Sequence, residues 1–112
     1  MSQIKNNKKN KLEFKPGYYE WNLFKNNKLI YSFGDLTELV FSYELPLKKG
    51  LELLVDELIE EMITSAKDEY MTFNFKFTKT MRNAILNLSS LEINTLKENM
   101  KNRLIGHYGP LL

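Results

Sequence analysis

Cysteine is absent, histidine occurs once, at His107, and arginine only at Arg82 and Arg103. The missing cysteines exclude disulfides, thiol catalysis and thiolate metal sites together. A lone imidazole offers no catalytic set, and no Gly-rich phosphate loop, His-Glu metal pair or Ser-His-Asp arrangement is readable. No stretch approaches the ~20 apolar residues that span a bilayer. The N-terminal MSQIKNNKKNK lacks the apolar core of a signal peptide, so a cytoplasmic location without a membrane partner is expected. These absences leave binding rather than catalysis as the expected role, with no cofactor and no metal.

What is present is an ordinary globular balance. The 112 residues are 43% apolar and 27% charged, enough for one core without staples. The net charge of +2 hides a segregation. Residues 52–69 hold seven acids against Lys67, a net of −6, so the remainder carries +8. Such a bipolar surface steers partners more than the total does.

Within residues 51–66, Leu51, Leu54, Val55, Leu58, Ile59, Met62 and Ala66 recur at steps of three and four, one stripe of an α-helix. Glu52, Asp56, Glu57, Glu60 and Glu61 fall on the opposite face, which makes the helix oily on one side and acidic on the other. The oily side needs a cover, and the rest of the chain supplies aromatic strands for it.

Residues 1–15 read as a mobile basic arm, because Lys and Asn dominate and little apolar surface offsets the ordering entropy. After Pro16-Gly17 a hairpin is expected, with strands 18–24 and 29–33 closed by Asn26-Asn27, both able to take positive φ. Closure there puts Leu23 opposite Ile30 and Trp21 opposite Ser32. Residues 38–45 alternate and read as a third strand, although Asp35 and Glu38 resemble a helix-capping pair. Residues 70–78 read as a fourth, with Met71, Phe73, Phe75 and Phe77 on its inner face. Thr78 or Thr80 then caps a short helix to Leu88. Ser89 and Glu92 form a capping box opening a second helix with the stripe Ile93, Leu96, Met100 and Leu104, stopped by Gly106. The expected fold is α+β: residues 16–112 form an antiparallel sheet of three to four strands packed by the acidic helix, followed by a C-terminal helical hairpin.

Two functions follow. The first is a small non-enzymatic binding protein that inhibits or adapts a larger host protein or nucleoprotein, such as a nucleic-acid enzyme. Its contact would be Glu52, Asp56, Glu57, Glu60 and Glu61. Residues with AT-rich codons dominate the composition, which suits an accessory protein of a phage or mobile element. The second is a DNA- or RNA-binding regulator. It would use the 80–105 helix pair as a helix-turn-helix together with the basic arm, through Lys8, Lys9, Lys11, Asn94, Lys97, Lys101 and Arg103.

Overall fold

The computed structural model describes residues 10–42, 47–68 and 77–109. Three strands form an antiparallel meander in the order β1 (Leu12–Pro16), β2 (Trp21–Lys25) and β3 (Lys28–Gly34). Four helices follow among the described residues: α1 (Thr37–Ser42), α2 (Leu47–Lys67), α3 (Lys79–Leu86) and α4 (Ser90–Tyr108). The chain is α+β, as its patterning requires.

The first strand corrects the extent of the arm, because Leu12–Pro16 pairs with β2 along its whole length. The physical reason is Phe14. It is buried opposite Leu23 and stacks on Trp21 at 4.7 Å, apolar burial that a Lys-rich context conceals. Residues 1–9 lie outside the described residues.

Asn26 and Asn27 take φ of 52° and 68°, the left-handed pair of a tight hairpin turn. Asn26 also clamps the start of β1: its backbone N–H donates to the Lys11 carbonyl at 2.8 Å, and its Oδ1 accepts from the Lys11 N–H at 2.9 Å. Beyond the turn the expected register fails. Leu23 faces Tyr31, Asn22 faces Ser32 and Trp21 faces Gly34, because β3 accommodates two irregularities in the pairing. Each extra residue increases local twist and re-aims its neighbours, and here it lets Ile30 enter the core. Strand β2 starts at Trp21 rather than at Tyr18. Its partner ends at Pro16, and a Gly17 N–H to Glu20 carbonyl bond closes the intervening turn.

Residues 37–42 are helical, which corrects the third strand expected at 38–45 as far as Ser42; 43–45 lie outside the described residues. Leu36 and Val40 are buried four apart, and the Val40 N–H donates to the Leu36 carbonyl at 2.9 Å. The alternating Leu39 and Phe41 are left exposed, so helical period outweighs strand period here. Asp35 Oδ1 accepts the Thr37 N–H at 2.9 Å, and this bond holds its carboxyl below the usual range. Most of the expected fourth strand lies outside the described residues. Phe77 is buried against Tyr31, and Thr78 is already the cap of α3.

All seven apolar positions of the organising stripe are buried in α2. Their cover is chiefly α3 and α4, with only a small contact on β3. The helical hairpin in turn packs on the sheet, α3 against β3 and α4 against β1. Thr78 Oγ1 caps α3 by accepting from Met81, and Ser89 and Glu92 close the reciprocal box at the start of α4. Helix α4 runs through Gly106, which corrects the expected stop. Tyr108 extends the buried row of Leu96, Met100 and Leu104 by one turn, and its burial outweighs the tendency of glycine to end a helix.

Candidate binding surfaces

The two residue sets expected to serve rival functions meet each other. Asp56 Oδ1 lies 3.3 Å from Lys97 Nζ, and Glu52 Oε1 lies 3.5 Å from Lys101 Nζ. Lys101 also reaches Glu98 at 3.2 Å, and that bond is the first cause of its raised pKa. Because α2 and α4 pack side by side, acids on the flank of one face lysines on the flank of the other. A shallow pocket of about 200 Å³ separates them, lined by these four residues, Val55 and Glu98.

Glu57, Glu60 and Glu61 stand farther round α2 and are exposed. Glu61 is close enough to Tyr31 to add to the rise in its phenol pKa, which burial begins and a 3.4 Å bond to Ser65 opposes. Among the described residues no group of three metal-ligating side chains comes together, and no helix is long and apolar enough to cross a membrane.

The expected nucleic-acid set is dispersed. Lys8 and Lys9 lie outside the described residues. Lys11 is exposed beside Glu13 at 3.6 Å, and Asn94 is exposed on α4. Arg103 donates from Nε to the Phe14 carbonyl at 3.0 Å, covering a backbone acceptor of the edge strand. With Lys97 and Lys101 paired to α2, three of the four α4 residues in the set contact other elements of the chain.

Three features escaped the sequence reading. Asn10 bridges the hairpin turn and the head of α4, accepting from Asn26 at 3.1 Å and donating to Glu92 at 2.8 Å. Tyr18 and Tyr19 are 89% and 76% exposed on the β1–β2 loop, with their rings edge to face at 4.4 Å. Pro16-Gly17 just before them signalled a turn and could have removed them from the strand. The last is a trough between β1 and α4. One part, about 320 Å³, is lined by Leu12, Glu13, Phe14, Asn99, Asn102 and Arg103. The other, about 480 Å³, shares Asn102 and Arg103 and adds Pro16, Trp21, Gly106 and His107. The chain matches no family model, no curated protein and no solved structure.

Proposed function

We propose that this chain is a small non-enzymatic binding protein that occupies a basic surface of a larger protein, through the outer acids of α2. The observation that carries this reading is the division of the acidic face. Glu52 and Asp56 face the lysines of α4, and Glu57, Glu60 and Glu61 face solvent farther round a helix whose opposite stripe is wholly buried. Residues three and four apart on such a helix lie about 5–6 Å from one another. A row of carboxylates at that spacing suits a groove of Lys and Arg that otherwise holds phosphates. The composition fits an accessory protein of a phage or mobile element, whose target would be a host nucleic-acid enzyme.

The DNA- or RNA-binding alternative is weakened by the engagement of Lys97, Lys101 and Arg103 within the fold. Capture of partners from a bacterial lysate, with and without nuclease, separates the two. A protein retained after nuclease, and lost when Glu57, Glu60 and Glu61 are all changed to Lys, supports the proposal. Retention by the charge-reversed variant at wild-type level overturns it, provided the melting temperature is unchanged.

A further inference from the structure

We propose that the trough between β1 and α4 binds an extended, acidic peptide segment of a partner protein, with a carboxylate held at Arg103 and Asn102 and the peptide backbone passing over Gly106. This surface is on the β1 side of α4, away from the α2 acids, and does not depend on the function proposed for them.

Gly106 is the first reason. It lies inside α4, where glycine is the poorest helix former short of proline. No described residue requires it, since a Cβ built there meets none of the described residues within 4 Å. A helical glycine facing open space gives a visiting backbone room for close approach. That space is the trough of about 480 Å³ whose other walls include Trp21 and His107.

Shape and charge select the occupant. The two parts of the trough share Asn102 and Arg103 and together run from Leu12 past Phe14 to Pro16, along the strand. An elongated opening of that kind admits an extended segment. Among the described residues no carboxylate lines the part beside Gly106. Glu13, the one acid among the described residues of the other part, is already paired with Lys15 at 3.2 Å. The bond from Arg103 to Phe14 uses Nε alone, one of five N–H donors on a guanidinium built to fork onto carboxylates. The carbonyls at the end of α4 disfavour an anion at Gly106 itself. The acid therefore belongs a turn earlier, at Arg103, with an apolar stretch crossing the glycine. Tyr18 and Tyr19 ride on the loop whose two ends, Pro16 and Trp21, both line the trough, and offer exposed rings to such a stretch.

Two pools of synthetic peptides of about ten residues, one with Asp/Glu-apolar centres and one with Lys-apolar centres, test this on the full chain by fluorescence polarisation. The acidic pool is expected to bind in preference to the basic one. Gly106→Leu should weaken that binding roughly tenfold or more while the melting temperature holds or rises. Asn102→Asp, which sets a like charge beside the carboxylate, should weaken the acidic pool alone. No binding by the acidic pool, or equal binding by Gly106→Leu, overturns the proposal. So does self-association of the chain that Gly106→Leu abolishes, because the occupant would then be a second copy.

Discussion

The indole N–H of Trp21 donates to the hydroxyl of Tyr108 across 3.0 Å, and both side chains are buried. The same hydroxyl lies 3.2 Å from Thr37 Oγ1, so β2, α1 and the end of α4 meet at one oxygen. Tyr108→Phe leaves the indole donor without its acceptor, which is expected to cost about 1–3 kcal/mol. Urea titration followed by tryptophan emission should show a lower midpoint at unchanged slope. An unchanged midpoint would mean that the bond adds nothing beyond the ring packing.

The head of α4 should give a pH-dependent stability. The Ser89 backbone N–H, first, and then Asn10 hold the Glu92 carboxyl below the ordinary glutamate range. A depressed folded pKa contributes stability that is present above the unfolded value and lost as pH falls through the folded one. Glu92→Gln should therefore be less stable than wild type near neutrality, with the gap closing in acid. Ser89→Ala should cost about 1 kcal/mol at either pH, because a neutral hydroxyl supplies that half of the box. A Glu92→Gln gap that persists in acid would show that the carboxylate charge is not what matters.

The hairpin turn separates two effects at one position. Asn27 has φ of 68°, where an L side chain other than Asn or Asp is strained. Asn27→Ala is expected to lose about 1–2 kcal/mol, and Asn27→Gly to stay near neutral. Equal losses in thermal melts would point to a side-chain contact instead of backbone conformation.

The contact between α2 and α4 is testable as a coupling energy. Asp56 and Lys97 are 61% and 37% exposed, so a double-mutant cycle should return about 0.2–1 kcal/mol, falling as salt rises. A coupling near zero in low salt would reduce the pair to a surface coincidence. It would also return Lys97 to the set available for phosphate.

What was legible in the sequence was local. The steps of three and four in α2, the Ser89–Glu92 box and the Asn26–Asn27 turn each satisfy their own backbone, and all three appear where the residues place them. What was not legible depends on distant partners. The short run around Leu36 and Val40 fits either period until something covers one face. Phe14 looks isolated among lysines until Trp21 lies on it. Above all, no spacing along the chain says that Asp56 will face Lys97. That pairing is set by how two helices dock, and it joined residues that the sequence had assigned to opposite functions.

The last helix has a consequence for the order in which the protein can be made. Helix α4 supplies the arginine that covers the edge of β1, the lysines that meet α2, and the tyrosine that reaches Trp21. During synthesis it leaves the ribosome after every element it completes. The seven apolar side chains of α2 must wait, exposed, for a surface not yet translated. Chains of such long-range closure are aggregation-prone in that interval. Pausing translation ahead of Ser90 should therefore leave the nascent chain protease-sensitive and bound by chaperones, although six of its seven described elements are already translated in order.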